Sequence, residues 1–174
     1  MKKIVLSLAV AFMAFSFANA QTTPYEQGSN VLQVGLGLGG GFSTGTITMP
    51  PIQVRYDYGI SDKISIGGVV GFAGSKYNWG AGNDIKYSYL LVAARGNYHF
   101  DVNVDKLDLY AGLTLGYNSV TVKDKGAFGG SVKGSGGLFG LQAGANYYLK
   151  DNLAIWADLG YGLGYLNLGV AFKF

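Results

Sequence analysis

Hydrophobic and polar residues alternate with a period of two along most of this chain. The last ten residues, YLNLGVAFKF, show it most plainly. Leu166, Leu168, Val170, Phe172 and Phe174 fall on one side of an extended strand, and Tyr165, Asn167, Gly169, Ala171 and Lys173 on the other, because successive strand side chains point to opposite faces. Upstream, residues 31–42 set Leu32, Val34, Leu36 and Leu38 against Gln33, Gly35, Gly37 and Gly39. Residues 43–49 read as a polar loop closed by Pro50-Pro51, and residues 52–60 set Ile52, Val54, Tyr56 and Tyr58 against Gln53, Arg55 and Asp57. After the tight turn Ser61-Asp62-Lys63, a third strand sets Ile64, Ile66, Val70 and Phe72 against Ser65, Gly67, Val69 and Gly71. A Gly-rich loop containing Trp79 spans residues 74–84.

The second half continues the pattern. Residues 86–100 group Leu90, Val92, Ala94, Tyr98 and Phe100 opposite Arg95, Asn97 and His99. A fifth strand groups Leu107, Leu109, Ala111, Leu113, Leu115 and Tyr117 opposite Asp108, Tyr110, Gly112, Thr114 and Gly116. Residues 118–137, rich in Gly, Lys and Ser, read as the longest loop. A sixth strand groups Leu141, Ala143, Ala145, Tyr147 and Leu149, and a seventh Leu153, Ile155, Ala157, Leu159 and Tyr161 opposite Ala154, Trp156, Asp158 and Gly160. With the terminal strand this makes eight. Connections alternate between longer and shorter, except that the last is also short.

The apolar sets named for the eight strands contain no Asp, Glu, Lys or Arg. A Lys or Arg facing lipid at mid-membrane costs roughly 2–4 kcal/mol, so this avoidance points the apolar faces at lipid. An even number of antiparallel strands of about 9–11 residues, with short turns at one end and longer loops at the other, is the pattern of a transmembrane β-barrel. Tyr58, Tyr98, Phe100, Tyr147, Phe172 and Phe174 then form a periplasmic aromatic girdle, and Phe72, Tyr117 and Tyr161 an outer one, since amphipathic rings favour the interfaces. The alternative, a soluble lipocalin-type periplasmic barrel, would expose a Gly-rich face with few charges to water.

The start of the chain fits export. Met1-Lys2-Lys3 is a basic lead, residues 4–17 are an apolar run, and Ala18-Asn19-Ala20 is a small-residue cleavage site, which together read as a secretory signal peptide over residues 1–20. Residues 21–30 form a polar periplasmic lead, and residues 31–174 the barrel. With Lys2 and Lys3 removed, eleven basic and ten acidic residues remain. That balance and the absence of any Lys/Arg block give no footprint for nucleic acid. There is no cysteine, which excludes disulfides and thiol chemistry.

An eight-stranded barrel has an interior just wide enough for side chains. The polar faces send into it Arg55, Asp57, Arg95, His99, Asp108, Asp158 and Lys173, with Gln53, Asn97, Tyr110, Gln142, Asn146, Tyr148 and Asn167. Counted from the short-turn ends, Arg55, Arg95 and Asp158 lie at similar mid-depth, which predicts an Arg55/Arg95–Asp158 cluster. Asp57, His99, Asp108 and Lys173 lie lower and predict a second layer near the periplasmic rim. Inward glycines such as Gly35, Gly67, Gly112 and Gly144 would leave room for the arginines. Charges of mixed sign in so narrow a lumen bind each other, so the cluster reads as a structural plug rather than an ion path or a catalytic site.

Other chemistry is sparse. His99 is the only histidine, so a His/Cys metal site lacks ligands, and no cofactor is expected. A Ser–His hydrolase would need a serine beside His99. A lipid A-modifying enzyme would need its residues at the outer rim, whereas His99 belongs to the periplasmic end. No enzyme activity is expected. The loops carry Lys123, Lys125 and Lys133 with Asp124, and Lys76, Tyr77, Asn78 and Trp79. They suit either a solvated rim that holds lipopolysaccharide phosphates or a surface that recognises an extracellular partner.

The segments SDKISIGG, ARGNYHF, LDLYAGLTLGYN and the terminal NLGVAFKF resemble small OmpX/OmpA-type barrels, the outer-membrane β-barrel-domain proteins of Gram-negative bacteria. The resemblance implies an all-β, eight-stranded antiparallel up-and-down barrel in the outer membrane, among its lipids and lipopolysaccharide. It also implies that the barrel-assembly machinery reads Phe174 as an insertion signal. Unlike OmpA, the sequence carries no expected peptidoglycan-binding domain. Two functions follow as expectations: a structural or adhesive envelope protein acting through its loops, or a narrow channel for small solutes or an apolar ligand.

Overall fold

The computed structural model describes residues 25–39, 45–78, 84–124, 129–160 and 164–174. The expected signal peptide, Trp79, Lys125 and Tyr161 lie outside the described residues. Eight strands follow one another: β1 (Asn30–Leu38), β2 (Thr46–Ser61), β3 (Ile64–Asn78), β4 (Asp84–Phe100), β5 (Leu107–Asp124), β6 (Ser131–Lys150), β7 (Leu153–Gly160) and β8 (Leu166–Lys173). Each pairs antiparallel with its sequence neighbours, and β8 returns to β1, so the sheet closes into a barrel. At the seam Val34 stands opposite Val170. The Phe174 N–H donates to the Asn30 carbonyl at 3.0 Å, and the Asn30 N–H donates to the Phe174 carbonyl at 3.2 Å. Closure gives every strand a hydrogen-bonded neighbour on both sides, which a lipid environment demands.

The barrel is apolar outside and polar inside. Leu115 on the wall is 60% exposed, whereas Asp158 in the lumen is 2% exposed. Along β2, Ile52, Val54, Tyr56 and Tyr58 are exposed and Gln53, Arg55 and Asp57 are buried. The alternation read from the sequence is therefore the alternation of lipid and lumen.

Where the strands end differs from expectation. Residues 118–137 are not one long loop: β5 runs to Asp124 and β6 begins at Ser131, paired from Asn118↔Gly136 to Lys123↔Ser131. Likewise β3 continues to Asn78 and β4 begins at Asp84, so residues 74–78 and Asp84 are strand rather than loop. β2 begins at Thr46 and carries Pro50 and Pro51 within it. Those prolines are tolerated because the β1 ladder stops at Leu36↔Ile52, and the β3 ladder has register shifts on either side of Met49. Proline in a sheet is confined to such unpaired or bulged positions. Tyr165 precedes β8 and is exposed rather than lumenal.

Candidate functional site: the lumen and the outer rim

Among the described residues the lumen holds two Arg–Asp ion pairs and a His–Asp hydrogen bond, linked by further polar side chains. In the upper layer Arg55 Nη1 bonds Asp158 Oδ2, and Nη2 lies 3.4 Å from Oδ1. Asp158 also accepts from Tyr110 Oη at 3.1 Å and from Asn167 Nδ2 at 2.8 Å. The Arg55 guanidinium lies 4.1 Å from the centroid of the Trp156 ring, a stacking that favours a desolvated cation. In the middle layer Arg95 Nε lies 3.4 Å from Asp57 Oδ1. Its Nη2 donates to Asn97 Oδ1 at 3.1 Å and its Nη1 reaches Gln33 Oε1 at 3.4 Å. Arg95 therefore pairs with Asp57, not with Asp158 as its depth suggested.

Cross-strand register gives the reason. Asp57, Gly67 and Arg95 occupy one row, so Arg95 reaches across a residue with no side chain. The arrangement recurs. Gln142 Nε2 donates to Asn97 Oδ1 at 3.0 Å across Gly112, and Tyr110 reaches Asp158 across Gly144. Inward glycines are thus the gaps that paired polar groups span. Gly35 and Gly169 sit instead beside the Trp156 ring, in its cross-strand row.

The lowest layer is built on His99. Its Nδ1 lies 2.7 Å from Asp108 Oδ1 and its Nε2 3.1 Å from Ser65 Oγ. Asn146 Nδ2 donates to Asp108 Oδ2 at 2.8 Å, and Asn97 Nδ2 to Ser65 Oγ at 3.0 Å. The serine that a hydrolase would need is thus present beside His99, although β3 alternation gave no reason to single out Ser65. Its surroundings oppose catalysis: Ser65 is fully buried, and the Tyr25 ring stacks on the imidazole with centroids 3.6 Å apart. A substrate carbonyl has no place beside Oγ, as a nucleophile requires.

Tyr25 belongs to the segment expected to be a polar periplasmic lead. It is 1% exposed and packs with Val31, Tyr148, Ala154, Trp156 and Ala171. Gly28, at φ +85, turns the segment inward, and its N–H donates to the Gly59 carbonyl at 2.9 Å; glycine adopts such angles without steric cost. Burial chiefly, opposed by the hydrogen bond with Ser65, pushes the Tyr25 phenol above the ordinary tyrosine range. Lys173 meets Glu26 at 3.3 Å at this mouth. On the turn after β2, Lys63 lies 2.5 Å from Asp101, and that hydrogen bond holds its ammonium above the usual lysine range. The one sequence signal for the plugging segment was Tyr25 itself, a large aromatic in a polar stretch.

At the membrane edges Tyr58, Tyr98, Phe100, Tyr147 and Phe172 are exposed at the short-turn ends of their strands, and Phe174 follows β8. Phe72 and Tyr117 stand exposed toward the opposite end, joined by Phe139, which lies between the expected loop and the first residue grouped in the sixth strand.

A family model described as "Outer membrane protein beta-barrel domain" matches residues 6–173. The chain belongs to that family. It is a protein of the Gram-negative outer membrane, crossing it with strands. Solved barrels share the fold. Ail, the attachment invasion locus protein of Yersinia pestis, in complex with the heparin analogue sucrose octasulfate, is 18% identical with a TM-score of 0.60; the match covers 85% of this chain and 99% of that one. OprG of Pseudomonas aeruginosa is 12% identical with a TM-score of 0.56, covering 86% and 97%. Neisserial surface protein A is 17% identical with a TM-score of 0.53, covering 84% and 94%. No curated protein sequence matches.

Proposed function

We propose that this family member is a non-enzymatic, non-conducting outer-membrane barrel whose role in recognition or adhesion is carried by its extracellular surface. The observation that supports this reading most is the filled lumen. The cavity between Arg55, Arg95 and Leu91 measures about 40 Å³, and the one beneath Arg95 and His99 about 10 Å³. Since one water needs about 10–15 Å³, these spaces suit a few waters rather than a file of solutes. Arg55, Arg95, Asp57, Asp108 and Asp158, with His99 and Lys173, act in this reading as the structural plug. Cleavage after Ala20 frees the plugging segment, and Phe174 serves as the assembly signal. The fold shared with Ail, named for attachment, is in keeping with a surface role.

Planar-bilayer recording tests the proposal. Purified protein is expected to give no steady conductance above the bare-bilayer level in either polarity. Large, sustained open levels would defeat the closed lumen and favour the narrow channel.

A further inference from the structure

Four lysines meet on the outer wall above the aromatic belt. Register sets Lys76 of β3 opposite Lys86 of β4, and Lys86 opposite Lys123 of β5. Lys133 of β6 faces Thr121, two residues from Lys123. Directly opposed residues share a face of the sheet, as do alternate residues along a strand. On these strands the same parity carries Phe72, Leu90, Tyr117 and Phe139 outward into the exposed belt. All four lysines therefore leave the wall sideways, over the membrane surface. Lys86, Lys123 and Lys133 are exposed and Lys76 is half-buried.

Their height is set by strand geometry. Lys76 lies four residues beyond Phe72, and strands rise about 3.3 Å per residue at a tilt near 45°, which places the Lys76 Cα about 9 Å above that of Phe72. Between belt and lysines the outward positions are small: Gly74, Ser88, Ser119, Thr121, Ser135 and Gly137. Adjacent strands are only about 4.8 Å apart, and like charges directly opposite destabilise a sheet. Among the described residues no carboxylate forms a salt bridge with any of the four. Asp84, on the same face, accepts a hydrogen bond from Asn78 Nδ2 at 2.9 Å, and Asp124 has the opposite parity on β5.

We infer that this lysine row binds the phosphate groups of an outer-leaflet glycolipid, lipid A of lipopolysaccharide. The ligand must lie beside the wall rather than above the mouth, because the side chains point laterally. It must carry anionic groups at headgroup height, above acyl chains that touch Phe72, Tyr117 and Phe139. The strip of Gly, Ser and Thr leaves space for sugar against the wall. Bridging phosphates relieve the repulsion within the row. The site depends on the membrane orientation of the barrel and not on whether the lumen conducts.

The test refolds wild type and K76Q/K86Q/K123Q/K133Q into phosphatidylcholine vesicles containing diphosphoryl lipid A, dephosphorylated lipid A or neither. Melting temperature and lipid A co-purification are read. Diphosphoryl lipid A is expected to raise the wild-type melting temperature, while dephosphorylated lipid A leaves it unchanged. The variant is expected to fold, shown by altered migration of the unboiled protein, and to bind diphosphoryl lipid A about tenfold or more weakly, since basic side chains near an anionic lipid surface each add to the attraction. If the quadruple variant does not fold, the double variants K86Q/K123Q and K76Q/K133Q are each expected to lose part of the shift. An equal shift in all variants, or with dephosphorylated lipid A, overturns the site. So does stronger lysine-dependent binding of a soluble sulfated oligosaccharide, which would make the row a receptor for host glycans.

Discussion

Asp158 holds Arg55, Tyr110 and Asn167 at once. Replacing it with asparagine keeps the shape and removes the charge that pairs with Arg55, whose Nε still donates to Gln53 and whose guanidinium still lies over the Trp156 ring. Breaking a buried pair from one side typically costs about 3–5 kcal/mol. Asp158→Asn should therefore lower the urea midpoint of the vesicle-inserted protein by that order, with insertion intact. An unchanged midpoint would mean the pair contributes nothing. Which residues enter the lumen was legible from alternation alone, because a one-residue slip would send every charge into lipid. Which of them pair was not. Depth counted from the turns put Arg95 with Asp158, but its partner is Asp57, since cross-strand register and the gap at Gly67 decide the reach.

At the scale of strands and their rows, glycine between two polar residues is a design rule of this lumen. Gly144 separates Tyr110 from Asp158, and a Cβ there would collide with the Asp158 side chain and the Ala157 carbonyl. Gly144→Ala should thus cost about 1–3 kcal/mol, the range for overpacking, with loss of the Tyr110–Asp158 hydrogen bond. Gly137→Ala on the same strand is the control: its Cβ would meet nothing within 4 Å, and the change should stay within about 0.5 kcal/mol. Urea unfolding of the two variants side by side decides between a spanned gap and mere backbone tolerance. The strand ends were the least legible elements. Beyond the hydrocarbon both faces of a strand meet water, so β5 and β6 lose their apolar side while keeping their ladder. Val120, Thr121, Val122 and Val132 carried the remaining signal, β-branched residues suited to a pleated surface, which the surrounding Gly, Ser and Lys obscured.

For the whole molecule the question is what surrounds the wall. The barrel is lopsided: β2 to β6 continue well past the outer belt, whereas β1 ends at Leu38, β7 at Gly160, and β8 begins at Leu166. One flank stands above the membrane and the other stops near it, which gives the lysine row a wall to project from. The filling of the lumen does not distinguish a membrane protein from a soluble barrel; the cost of placing charge at each height on the outside does. Leu113 lies outward within the belt and Thr121 outward above it, eight residues along the same strand. In lipid, Leu113→Lys should cost roughly 2–4 kcal/mol, while Thr121→Lys, near or beyond the interface, should cost about 0–1 kcal/mol. In a soluble barrel both substitutions would sit on an aqueous surface and change stability by similar small amounts. Unfolding free energies measured in vesicles for the two variants therefore read out the depth of each position directly. Equal values would mean that hydrocarbon does not reach Leu113, and with that the outward face of β5 would lose its reason for holding no charge between Leu107 and Tyr117.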